Sequence, residues 1–147
     1  MKKIISLTVV LLMFISCEIK PAEVHYGSDK CDHCGMTIVD KQHASQLVTN
    51  KGKPYKYDAI ECMIVAKNDK FSETEMAFEL IADFDNPGTL TDANTATYLI
   101  SENIKSPMGA NLSGFKEKET AIKTMNEFGG KIYTWAEIQE NLKNMTH

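Results

Sequence analysis

Past residue 30 the apolar positions fall into short blocks, and the period of each block suggests an element. Met36 to Val39 reads as a short strand and Ala44 to Thr49 alternates as a second, followed by a turn at Asn50-Lys51-Gly52-Lys53. Asp58 can cap a helix, with Glu61 three residues on completing a capping box. Ala59, Met63, Ile64 and Ala66 then form the buried stripe of that helix. Ala77 to Phe84 returns as an apolar strand, ended by Asp85-Asn86-Pro87-Gly88. The outline then repeats. Ala96 to Ser101 is a strand, Ser106-Pro107-Met108-Gly109 a turn, and Leu112 to Phe115 a further short strand. Glu117 to Phe128 has helical spacing through Ala121, Ile122, Met125 and Phe128, stopped by Gly129-Gly130. Lys131 to Thr134 is a strand and Trp135 to Lys143 a short C-terminal helix. The expected fold is α+β: two similar small β-β-α-β units, residues 31–90 and 91–147. Either unit alone would bury too little of its surface, so the two are expected to pack together.

The N-terminal region has a different pattern. Lys2 and Lys3 precede an uncharged, mostly apolar run of twelve residues, Ile4 to Ile15. Twelve helical residues rise only about 18 Å against a hydrocarbon core of roughly 30 Å, which favours a cleaved signal peptide over a spanning anchor. Phe14-Ile15-Ser16-Cys17 resembles the bacterial lipobox, so residues 1–16 are expected to be removed and Cys17 to be acylated. The mature chain, 17–147, would then be held by lipid to a bacterial membrane, facing the periplasm. Residues 17–30, polar and without period, read as a tether.

Charge narrows the partners. The whole chain carries a formal net charge of −4 and contains no arginine. Bidentate clamping of phosphate or carboxylate is unavailable, and nothing basic invites nucleic acid or anionic lipid. No Gly-x-Ser-x-Gly, phosphate loop or His-Glu-x-x-His occurs, so the chain is read as a non-enzyme. Asp83 and Asp85 flank a strand end and read as solvated carboxylates.

Candidate chemistry centres on Cys31-Asp32-His33-Cys34-Gly35-Met36, with two thiols, an imidazole and a thioether in six residues. Soft donors of this kind select Cu(I) over oxygen-seeking ions. With Cys17 assigned to lipid, Cys31, Cys34 and Cys62 remain, an odd number that cannot all pair internally. Met63, Met76 and Met125 sit where packing methionines belong. Met36 and Met108 instead adjoin turn glycines that can lift a sulfur clear of the core. A thioether carries no proton, so copper held partly by methionine should lose less affinity in acid than copper on Cys and His alone. His33 lies inside the Cys-x-x-Cys and is a further candidate ligand, whereas His43, opening a strand, reads as surface and Cys62 as a buried small hydrophobe. Two other readings stay open. One is a thiol-disulfide oxidoreductase using Cys31 and Cys34, although Gly35-Met36-Thr37-Ile38-Val39 reads as turn into strand rather than the helix such a pair normally opens. The other is a zinc-binding structural adaptor using Cys31, Cys34 and Cys62 with His33 or His43.

Cys34-Gly35-Met36, Tyr57-Asp58, Phe84-Asp85, Asp92-Ala93, Ala96-Thr97-Tyr98, Pro107-Met108-Gly109, Phe115, Ala121 and Phe128-Gly129-Gly130-Lys131, in that order behind a lipobox, resemble the NosL family. These are lipoproteins that act as copper chaperones in nitrous oxide reductase maturation. The resemblance covers most of the mature chain. It implies two related β-β-α-β units, one Cu(I) per monomer, and an ABC-transporter-type membrane complex as docking partner. The client would be nitrous oxide reductase or another copper protein. Carried over by residue, it nominates Cys34, Met36 and Met108 as ligands. Cys31 departs from the family's pattern and stands as an extra ligand, a redox partner of Cys34, or neither.

Overall fold

The computed structural model describes residues 18–145. The expected signal segment 1–16 and lipidation site Cys17 lie outside the described residues. The chain runs β1 (Ser45–Thr49), β2 (Pro54–Tyr57), α1 (Ile60–Lys70), β3 (Met76–Ala82), β4 (Leu90–Asp92), β5 (Thr97–Ile100), β6 (Leu112–Phe115), α2 (Lys118–Phe128), β7 (Lys131–Tyr133) and α3 (Trp135–Met145). Two antiparallel sheets result, ordered β2-β1-β3-β4 and β6-β5-β7. In each sheet the first strand of the unit lies between the second and third, and a helix joins those outer two. Leu47 on β1 faces Tyr55 and Glu79 across the ladders, and Tyr98 on β5 faces Gly114 and Tyr133.

One core runs through both sheets. Leu47 and Ile81 of the first sheet, with Ile60 and Met63 of α1, are fully buried in the same cluster as Tyr98 and Leu112 of the second sheet and Ile138 of α3. The approach is closest at Gly114 on β6. A Cβ there would stand 2.1 Å from Ile81 Cδ1 and 3.2 Å from Ile60 Cδ1. Only a residue without a side chain lets β6 pack this closely on β3 and α1. A smaller cluster of Leu99, Ile104, Phe115 and Ala121 lies on the other side of β5 and β6.

Several expectations are corrected by this packing. Met36 to Val39 forms no strand; Thr37 makes a single bridge to Lys30, and Val39 is exposed. Residues 22–30 are not a free tether. The buried Gln46 amide donates to Ala22 O and accepts from Ala22 N–H, while Val24 and Tyr26 pack on the core. The α1 cap is Ala59, in extended backbone with no side-chain cap, because the carboxylates of Asp58 and Glu61 are engaged elsewhere. On α2, Ala121 and Thr124 are buried and Ile122 and Phe128 are exposed, so the apolar stripe is narrower than its spacing suggests. His43 is buried, its Nδ1 on Asp40 and its Nε2 on Ser113 of β6. Asp83 is buried as well, accepting from Lys116 N–H and Asn86 Nδ2. Both polar groups are buried because each finds partners that replace water.

Candidate metal centre

The cysteines sit on a short knuckle held by its own backbone. Cys31 N–H donates to Met36 O, Gly35 N–H to Cys31 O, and Cys34 N–H reaches Cys31 Sγ at 3.5 Å. Asp32 fastens the knuckle to β2, donating its N–H to Lys56 O and accepting Lys56 N–H on Oδ2. Lys56 Nζ adds an ion pair to Asp29 at 2.6 Å. The knuckle is thereby laid against the end of β2, where Asp58 follows, and against the first turn of α1, which carries Cys62.

These three segments converge. One ligand atom from each of Cys31, Cys34, Asp58 and Cys62 lies within 4.8 Å of every other. Cys31, Asp58 and Cys62 are buried, and Cys34 alone is partly open. The Cys34 thiol donates to both Asp58 oxygens at 3.5 Å. The Cys62 thiol hydrogen-bonds Cys31, and this contact, against the opposing effect of burial, pulls the Cys31 thiol down to about 6. The same contact, with burial next, pushes Cys62 well up, and burial raises Cys34. Cys31 and Cys62 thus titrate as one hydrogen-bonded pair.

Beside this cluster lies a cleft of about 280 Å³ between α1 and the 106–110 turn, lined by His33, Glu61, Cys62 and Met108 together with apolar side chains. The turn is clamped to α1 by one carboxylate. Glu61 Oε1 accepts from Ser106 Oγ and from Ala110 N–H, and Ser106 Oγ in turn accepts from Asn111 N–H. Glu61→Ala leaves those donors unpaired and should cost about 1–3 kcal/mol in urea unfolding, with faster amide exchange at Ala110. An unchanged midpoint would show that the turn is held by other contacts.

Of the expected ligands, Cys31 and Cys34 meet in the cluster, while His33 and Met108 line the adjoining cleft with Cys62. Met36, 50% exposed, stands two residues beyond Cys34 and does not line that cleft; Met108 is 44% exposed. Both turn methionines present themselves to solvent, in contrast to the fully buried Met63. His43 is remote in role, tied to Asp40 and Ser113. Asp58 was not singled out as a donor from the residues, because it matched a helix cap. Cys62 was named only in the zinc reading, beside Cys31 and Cys34, and otherwise read as a buried small hydrophobe. The odd thiol count was a further signal that pointed to it.

Comparison with known proteins bears on this arrangement. The family model described as NosL matches residues 21–143. The copper-binding lipoprotein NosL of Stutzerimonas stutzeri is 24% identical over 131 residues, covering 84% of this chain and 68% of that protein. The crystal structure of the copper chaperone NosL from Shewanella denitrificans superposes with a TM-score of 0.69 at 18% identity, covering 82% of this chain and 96% of that one. That likeness establishes the mixed helix-and-sheet fold. With the family match reaching from Pro21 through every donor-bearing segment to Lys143, this chain belongs to the NosL family.

Proposed function

We propose that this protein is a membrane-anchored copper chaperone. It holds one Cu(I) through the Cys34 thiolate and the thioethers of Met36 and Met108, with Cys31 and His33 as further candidate ligands. The observation that carries the reading is the partly open Cys34 sulfur beside a cleft lined by the exposed Met108 thioether. Soft sulfur donors suit a monovalent copper ion, and ligands on exposed turns suit one that must be given up. Family membership and the copper-binding lipoprotein of Stutzerimonas stutzeri support both the cargo and the acyl anchor at Cys17. No helix among the described residues is long and apolar enough to cross a membrane. Delivery would run through an ABC-transporter-type complex to nitrous oxide reductase or another copper protein on the periplasmic face.

Thiol-disulfide exchange is the weaker reading. Its attacking sulfur must be reachable, and Cys31, the first thiol of the Cys-x-x-Cys, is only 3% exposed.

An anaerobic Cu(I) titration against a chromophoric competitor tests the proposal. One equivalent per chain is expected. Met36→Leu and Met108→Leu preserve volume while deleting sulfur, and each should weaken binding at least about tenfold, or ~1.4 kcal/mol. Indifference to both changes, with insulin reduction by the wild type, would replace the chaperone with an oxidoreductase.

A further inference from the structure

Asp58 is a buried carboxylate with no cation beside it. Its side chain is 2% exposed, caps no helix, and belongs to no ion pair among the described residues. The groups that reach its oxygens are thiols: Cys34 at 3.5 Å to both, with Cys31 and Cys62 alongside. Burying a carboxylate this way is unfavourable unless it is paired or coordinates a metal. Every buried neighbour of Asp58 in the cluster is itself a metal ligand.

The donor set also says what kind of metal. Cu(I) is satisfied by two or three soft sulfurs and has no use for a hard carboxylate oxygen. Three thiolates and one carboxylate around a point form a closed, four-coordinate set of the kind zinc takes in structural sites. The Cys-x-x-Cys spacing of Cys31 and Cys34 is the usual knuckle of such sites. Metal–sulfur bonds of roughly 2.3 Å at tetrahedral angles place sulfurs about 3.8 Å apart. The four donor atoms lie within 4.8 Å of one another, so a contraction of about 1 Å at most completes the shell. Three of the four donors are buried, which leaves no open position for a substrate or water.

We propose that Cys31, Cys34, Cys62 and Asp58 form a closed site for a tetrahedral divalent cation of the zinc class, separate from the open thioether position. Cys34 is common to both sets. Zinc in the closed site therefore withdraws Cys34 from the face that carries Met36 and Met108, and Cu(I) and zinc exclude one another. This exclusion rests on the copper reading given above; the closed site does not. Zinc would cross-brace the knuckle, the end of β2 and the start of α1 in the copper-free protein, and Cu(I) loading would release it.

The test uses the full chain, purified anaerobically in detergent and freed of metal, with Co(II) and then Zn(II) as probes. One cobalt per chain is expected, with thiolate-to-cobalt charge-transfer bands and the intense visible bands of tetrahedral coordination, all lost on adding zinc. Asp58→Asn and Cys62→Ser should each weaken zinc by more than the roughly 10–100-fold typical of losing an outer-shell partner, and far more than they weaken Cu(I). Met108→Leu should show the reverse preference. Asp58→Asn keeps the shape of the side chain, so it guards against a Cys62→Ser protein that fails to fold. A six-coordinate cobalt spectrum without thiolate bands would overturn the closed site. So would zinc affinity untouched by Asp58→Asn, or Cu(I) affinity that falls in step with zinc in both variants. Zinc binding in a wild type that takes no Cu(I) would instead remove the chaperone reading and leave the four-donor site in place.

Discussion

Cys34→Ser should abolish stoichiometric Cu(I) binding, weakening it by at least about three orders of magnitude, or ~4 kcal/mol. Cys34 is the one sulfur of the cluster that is partly open. It belongs to the cluster with the buried Cys31, Asp58 and Cys62, and its partial exposure leaves it the cluster sulfur that the proposed methionine ligands could share. A serine hydroxyl is a hard, neutral oxygen at any physiological pH, so it offers neither the charge nor the polarisability that a soft monovalent ion seeks. The fold should scarcely notice. The Cys34 sulfur meets Asp58 at 3.5 Å, the Cys31 side chain and the Met36 backbone, partners that a hydroxyl can also hydrogen-bond, and the knuckle is held by backbone hydrogen bonds that serine leaves intact. Apo stability should therefore stay within about 0.5 kcal/mol of wild type. Cys31→Ser should cost much less copper affinity, since its sulfur is shielded. Competitive titration of both variants checks the pair. Equal losses at the two positions would move the copper from the open face into the buried cluster.

The elements were legible where a period lasted long enough to exclude its rival. Met63, Ile64 and Ala66 do line the buried face of α1, and the alternation at 44–49 and the apolar run at 77–84 do mark two paired strands. β4 was not legible. Leu90-Thr91-Asp92 is too short to show alternation, and its strand character comes from the edge of β3 that it covers. Asp58 and Glu61 fit a capping box in sequence, yet tertiary partners outcompeted the helix end for both carboxylates: a thiol for one, Ser106 and Ala110 for the other. His43 looked like a surface residue because only the folded chain brings Asp40 and Ser113 to its two nitrogens. The Cys-x-x-Cys was visible because its signal is local, and the glycine-flanked methionines stood out as candidate ligands for the same reason. Asp58 did not, because it matched a cap, and Cys62 entered only through the zinc reading; their convergence with Cys31 and Cys34 is a fact of the folded chain.

Gly130→Ala should destabilise the protein by about 3 kcal/mol or more, the largest effect expected away from the metal. Gly130 has φ +109°, where a side chain is already strained. A Cβ there would also lie 2.2 Å from the Ile100 carbonyl oxygen and 3.0 Å from the Ser101 Cα. Those neighbours are backbone, so no rotamer change relieves the clash. β5 is the middle strand of the second sheet and pairs with β7 from Ile100↔Lys131 onward, so the alanine must pry β7 from β5 or shift β5 against β6. Gly129→Ala is the control. Its φ of +74° and ψ of −175° are also a glycine conformation, but nothing lies within 4 Å of the added carbon, so it should cost backbone strain alone, about 1–3 kcal/mol. Urea unfolding of the two variants isolates the close approach, and equal costs would mean that β7 tolerates the displacement. Since one core cluster joins both sheets, the loss should appear as a single earlier transition rather than a separate unfolding of the second unit. Cu(I) at a hundredfold excess over its dissociation constant should return about 2.7 kcal/mol by binding only the folded chain. Because Met108 belongs to the weakened unit, that recovery should shrink in a Gly130→Ala, Met108→Leu double variant.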